Sequence, residues 1–202
     1  SLSANGLHKI SPTAWENSAI GHARLFEKVD KGLKLHYKIP QINLNHFKKL
    51  TTDFGMLQFS VINEPDIASG YTIDDNARAL VAMCEHYELS NDKEDLELIK
   101  IYLNFIVYCL QNDGSFLNYV DKYGNFTSQN YNENLEDSNG RAIWALGYLL
   151  SLSSILPESL IDKAKYALDR SVFNIHKVHS TRAMSFVMKG VYYAGLGSQN
   201  HD

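Results

Sequence analysis

Asp74-Asp75-Asn76-Ala77-Arg78-Ala79-Leu80 and Asp137-Ser138-Asn139-Gly140-Arg141-Ala142-Ile143 carry nearly the same order of residue types, 63 positions apart. Each runs acid, polar, Asn, small, Arg, Ala, apolar, and then enters an apolar helical pattern. Asp74, Asp75, Glu136 and Asp137 thus bring carboxylates to two helix starts. Two carboxylates facing each other across a cleft are what glycosidic-bond chemistry needs. One is protonated and donates to the leaving oxygen, while the other is ionised and activates water or attacks. Their separation, which decides between inversion and retention, is not readable from sequence. Arg78 and Arg141 follow Asp74 and Asp137 by four residues, one helical turn. That spacing serves equally to position a catalytic acid or to tie down a helix end, and both readings stay open. A third, weaker copy, Ser180-Thr181-Arg182-Ala183-Met184, has Val178 where the acid would stand, so acid pairs are supported on two helices only.

Self-similarity at tens of residues marks stacked helical hairpins, and most of the chain reads as helix. Pro12 followed by Thr13-Ala14-Trp15-Glu16-Asn17 predicts a helix start, and Trp15, Ala19, His22, Ala23 and Phe26 continue it to about Val29, where Lys31-Gly32 ends it. The stretch 33–42 has no period and reads as a linker, with a short helix over about 43–50. Residues 52–70 are punctuated by Gly55, Asn63-Glu64-Pro65-Asp66 and Ser69-Gly70, which predicts a long loop with a short hairpin. Thr72 with Asp75 fits a capping box and starts a helix to about residue 89. Further helices are predicted over about 93–111, 137–155, 157–172 and from Thr181 to a stop at Gly195-Leu196-Gly197. The helices carrying the repeats are apolar nearly all round, so they form an inner layer and their partners an outer one. Between the turn signals Asn112-Asp113-Gly114 and Tyr123-Gly124-Asn125, a hairpin-like loop is expected. Tyr71 before the first acids, and Phe116, Tyr119, Tyr123 and Tyr131 before the second, offer faces for sugar rings, while Asn118, Asn130 and Asn132 offer partners for hydroxyls. The same residues would serve equally well to pack the loop.

Composition narrows the classes. At 202 residues, 45% apolar and 21% charged, the chain is an ordinary globular sequence long enough for a substantial core. A net charge of −4 lacks the basic field that a phosphate-backbone binder requires, which argues against nucleic acid. No apolar run approaches the roughly 20 residues of a bilayer span, and no signal segment opens the chain, so a cytoplasmic location is expected. Cys84 and Cys109 lie in apolar helical patterns and read as reduced core thiols. The histidines are scattered without ligand spacing, and neither a metal nor a cofactor is expected.

The residues from Gly70 to Leu80, together with Asp113-Gly114-Ser115-Phe116-Leu117-Asn118-Tyr119 and Glu136-Asp137-Ser138-Asn139-Gly140-Arg141-Ala142, resemble the helical domain found C-terminal to family-four glycosyltransferase domains in bacteria. Thr52-Asp53-Phe54-Gly55-Met56-Leu57-Gln58 is similar to the opening motif of that domain, and the likeness covers roughly residues 51–190. The family's opening motif commonly continues Gln-His-Ala; here Phe59 and Ser60 follow Gln58, so no histidine acts there.

The resemblance implies an all-α fold of helical hairpins forming part of an (α/α)6 toroid of the six-hairpin glycosidase type, with short hairpin-like loops. Pro12-Thr13-Ala14-Trp15-Glu16-Asn17-Ser18-Ala19 is similar to the closing helix of a GT-B glycosyltransferase. On that reading residues 1–30 are the C-terminal helix of a transferase domain, 31–50 a linker and first helix, and 51–202 part of the toroid. The chain is then a fragment whose partners are a glycan or sugar, the missing transferase domain, and another copy or domain to close the uncovered inner helices. Asp74, Asp75, Glu136 and Asp137 are the candidate catalytic residues. Asp53, Tyr71, Asn76, Arg78, Tyr119, Asn139 and Arg141 are the candidate substrate-binding residues. The expected function is a carbohydrate-active domain that binds or processes a glycan at an acidic rim; the alternative is a non-catalytic module that binds glycan or packs against the transferase.

Overall fold

A computed structural model of the protein describes residues 15–32 and 41–199. The chain divides into two compact units, Ser1–Asn43 and Leu44–Asp202. In the first, helix α1 (Trp15–Val29) contains the periodic residues Trp15 to Phe26 and ends at Val29 as expected. Asp30 follows it, and its carboxylate accepts the Gly32 N–H at 2.9 Å. Trp15, Leu25, Phe26 and Val29 are exposed on this helix. The predicted start at Pro12 and most of the 33–42 linker lie outside the described residues.

The second unit contains α2 (Asn45–Leu50), α3 (Ile73–Ser90), α4 (Asp95–Cys109), α5 (Glu136–Ser151), α6 (Glu158–Ser171) and α7 (Thr181–Gln199). Helix makes up 65% of the described residues, so the fold is mostly helical, as an all-α reading expects. Helix α3 packs on α4 and α5, α5 on α6 and α7, and α4 on α6, which gives one layer of α3, α5 and α7 and a second of α4 and α6. Ile73, Leu80 and Met83 of α3, Ile99 and Leu103 of α4, Leu146 and Leu149 of α5 and Ala164 of α6 are fully enclosed between them. Cys84 and Cys109 are free and buried in this core, and burial pushes both thiols well above their ordinary range. Among the described residues no helix is long and apolar enough to cross a membrane.

Two short sheets tie the loops down. The predicted 52–70 hairpin is β1 (Ser60–Val61) against β2 (Glu64–Pro65), with Ser60 opposite Pro65. Ile62, at its tip, has a φ of 60°, a conformation that costs a β-branched side chain strain. The loop after α4 departs from prediction. It makes two arches at Gly114 and Gly124, closed by bridges Leu110–Phe116 and Val120–Phe126, yet its strand β4 (Tyr119–Val120) pairs with β3 (Tyr71–Thr72) at the start of α3. The loop therefore carries residues 119 and 120 to the mouth of the preceding repeat rather than folding only on itself.

Helix α7 corrects two expectations. It runs past Gly195-Leu196-Gly197 to Gln199, because a Cβ on Gly197 would stand 2.2 Å from the Leu150 carbonyl oxygen of α5. Gly147 and Gly190 meet in the same way: a Cβ on Gly147 would fall 2.0 Å from the Gly190 oxygen. These glycines are selected by backbone-to-backbone approach, not by a turn. Nor is α7 buried all round; Ala183, Val187 and Gly190 face α5, whereas Met184, Met188, Val191 and Tyr192 are exposed. Its main packing partner is α5.

Candidate functional site

The loops reach the repeat helices through two asparagines that do the same work. Asn76 accepts the Met56 N–H at 2.8 Å and donates to the carbonyls of Met56 and Thr72. Asn139, at the same place in the second copy, accepts the Phe116 N–H at 2.8 Å and donates to the carbonyls of Phe116 and Leu135. Each amide clamps an incoming extended segment to the first turn of its helix. Asn118 and Asn130 continue this scaffold: Asn118 Oδ1 accepts the Asp74 N–H at 3.2 Å, and Asn130 Oδ1 accepts the N–H groups of Asn118 and Tyr119. These four amides, placed among candidate sugar contacts by sequence, hold backbone in the structure.

Thr72 caps α3, accepting the Asp75 N–H at 3.1 Å while its hydroxyl donates to Asp75 Oδ2 at 2.5 Å. The predicted capping box is present in this variant form, with the acid returning to the Thr side chain rather than to its backbone. Arg78 then pairs with Asp74 at 2.8 Å and Asp75 at 2.7 Å.

The second copy does not repeat that pairing. Asp137 and Arg141 do not pair with each other: Arg141 reaches back to Asp74 of the first copy, and Asp137 pairs with Arg182 of the third. Each arginine serves the acid of the preceding repeat because neighbouring helix starts stand side by side, which brings residues 67 or 45 positions apart closer than the next turn. Arg78, with no earlier copy among the described residues, turns to its own acids. The third copy, read as outside the site for want of an acid, therefore joins it through Arg182. The place left open by Val178 is filled from α5: Glu136 Oε2 accepts the N–H groups of His179 and Ser180, each at 2.6 Å. Those two bonds, Ser180 first, hold the Glu136 carboxyl below its ordinary range.

Asp74, Asp75 and Asp137 are 21%, 24% and 21% exposed, so the rim they form touches solvent while every carboxylate on it has a partner. Beside them the Tyr119 hydroxyl donates to Glu133 at 2.6 Å; that bond raises the phenol's pKa and lowers that of the Glu133 carboxyl. Asp74 adds to the rise at Tyr119, which puts the phenol in the field of the rim. Tyr71 is buried and its hydroxyl lies 3.1 Å from Thr52 Oγ1. Asp53 is exposed in the segment that precedes β1. Tyr123 and Tyr131 are exposed.

Sequence reasoning missed the bonds that Glu133, His179, Ser180 and Arg182 make at the rim, and the contacts of Phe186 with Arg141 and Trp144 and of Lys189 with Trp144. The missed signal was the helical spacing of Arg141 and Trp144 on one side of α5, which brings both against Phe186. Among the described residues no three His, Cys, Asp or Glu side chains converge as a metal site. Fold and site together define a helical-hairpin protein with an acid–arginine ladder across three helix starts. No protein-family model matches the chain, and comparison with curated proteins returns no match.

Proposed function

We propose that residues 51–202 belong to an (α/α)6 toroid of the six-hairpin glycosidase type, attached to a glycosyltransferase domain, and that its rim holds a glycan rather than cleaving one. The observation that carries this reading is the pairing of every rim carboxylate. A general acid for glycoside cleavage needs a raised pKa, and the shifts at Glu133 and Glu136 run the opposite way. Fixed carboxylates and guanidinium groups instead present directional acceptors and donors to sugar hydroxyls, with Tyr119 beside them. In a protein of this kind the transferase makes the bond and the rim grips the chain being extended.

Titration with a panel of methyl glycosides and disaccharides, followed by amide chemical shifts, tests the proposal. Shifts centred on Asp74, Tyr119 and Arg141, weakened at least tenfold in Asp74→Asn, are the expected result. Release of reducing sugar that disappears in both Asp75→Asn and Asp137→Asn would replace holding by catalysis. A second reading, a domain-packing module, is favoured by one observation: Glu136 and Asp137 bond to residues 179–182 and so join repeats. It predicts no sugar response at all.

A further inference from the structure

The seam between α5 and α7 has counterparts at both edges of the layer formed by α3, α5 and α7. On α5 it runs along Ile143, Gly147 and Leu150: Cβ atoms on Gly190 and Gly197 would stand 2.4 Å and 2.2 Å from the carbonyl oxygens of Ile143 and Leu150. Leu80, Cys84 and Tyr87 hold the same places on α3, 63 positions earlier, and are buried. On α7, 41 positions later, those places fall to Met184, Met188 and Val191, all exposed. Their spacing of four and three puts them on one stripe of the helix. Gly195 continues that stripe, and a Cβ there would meet nothing within 4 Å. A glycine inside a helix costs about 1 kcal/mol against alanine, a cost that Gly147, Gly190 and Gly197 offset by close approach of backbones.

Helix α3 forms the opposite edge. α5 reaches it through Arg141, paired with Asp74, and Tyr148, bonded to Glu88. The counterparts of Arg141 and Tyr148, 63 positions earlier, are Arg78 and Glu85, with Ala82 between them and Leu89 one turn on, and all four are exposed. One edge of the layer thus presents the face that receives a following helix, and the other presents the face with which a helix follows. The charges agree: α7 carries Arg182 and Lys189 and no acid, whereas the α3 stripe offers Glu85 and its Arg78 is paired with Asp74 and Asp75. The ladder ends agree too. Arg78 has its own acids, and the third copy, with Val178 in the acid's place, offers none.

We propose that the stripe of Met184, Met188 and Val191 on α7 receives the stripe of Arg78, Ala82 and Glu85 on α3 of a second copy of the chain. The contact is head-to-tail, so each copy uses two different faces, and it ends in a closed assembly only if the rotation per copy closes. In a six-hairpin ring each inner helix advances one sixth of a turn, so α3, α5 and α7 make half a ring and two copies close it. The inference rests on the ring part of the reading above and not on the holding of glycan.

Sedimentation equilibrium of the full chain tests the pairing. The parent is expected at twice the 22.9 kDa mass of the chain. Met188→Glu and Ala82→Glu, one on each stripe, bring an unpaired carboxylate into the joint and weaken pairing about tenfold or more. Both positions are exposed, so both variants keep the circular dichroism of the parent. Tyr166→Glu, on an exposed side of α6, leaves the mass unchanged. A parent that stays monomeric at its highest soluble concentration overturns the pairing. A pair that survives Ala82→Glu but not Met188→Glu joins α7 to α7 and overturns the head-to-tail contact. An open series of larger species overturns the ring as well. The sugar titration decides glycan holding whichever mass is found.

Discussion

The starts of α3 and α5 place one motif in two settings. Both use an Asn at the same position to clamp an incoming strand, with the same three bonds. They differ in everything that faces a neighbour. Thr72 caps α3 with its side chain, whereas Leu135 offers α5 no such cap and Asn134 accepts the Glu136 N–H instead. Arg78 turns to its own acids, and Arg141 leaves its own for Asp74. Short-range order of residues thus dictates contacts within a repeat, while ion pairs go to whichever partner the packing brings closest.

The sharpest difference is in how the two helices meet their successors. Cys84 of α3 occupies the place of Gly147 in α5, 63 positions on, and is fully buried with its side chain accommodated. Gly147→Ala, by contrast, must push α7 away, and we expect it to cost about 3 kcal/mol or more, against about 1 kcal/mol for Cys84→Ala. Urea unfolding reads both, and equal costs would erase the distinction. Next come the clamps: Asn76→Ala strands buried backbone groups of Met56 and Thr72 and should cost about 2–4 kcal/mol. Asn139→Ala should cost less, because Asn139 is only half-buried. Among the arginines, Arg141→Met should cost about 1 kcal/mol and Arg78→Met a few tenths, since their side chains are 18% and 53% exposed. A larger loss at Arg78 would show that the ladder is local after all.

The smallest effect is one of pH. The folded Glu136 carboxyl titrates below its ordinary value of 4.5, so the native state binds fewer protons there than the unfolded chain. Its contribution is complete above that value and fades as pH falls through the lower folded one. Unfolding midpoints of the parent and Glu136→Gln should therefore converge in acid and separate near neutrality; parallel curves down to pH about 3 would remove Glu136 from the account.

Helix positions in the chain were legible because the apolar period of 3.6 is a local property; α3 and α6 lie within a residue or two of expectation. The stop at Gly195-Leu196-Gly197 was misread because glycine signals both a helix end and a tight helix crossing, and only the position of Leu150 distinguishes them. At the rim, residue types were legible but partners were not. Spacing of four predicts Asp137 with Arg141, and nothing in the string shows that Asp74 lies nearer. Arg182 was undervalued for the same reason: its acid belongs to another helix. The clamping asparagines looked like free polar groups because their acceptors and donors are backbone atoms 20 and 23 residues away.

Cys84 and Cys109 give this architecture an internal clock. A thiol reacts with alkylating reagents only as its thiolate, and both are enclosed in a medium that suppresses that form. Modification must wait for α3 and α4 to part. The rate of labelling in native buffer therefore counts openings of the first hairpin, while the glycine-lined seam between α5 and α7 contains no cysteine and stays silent.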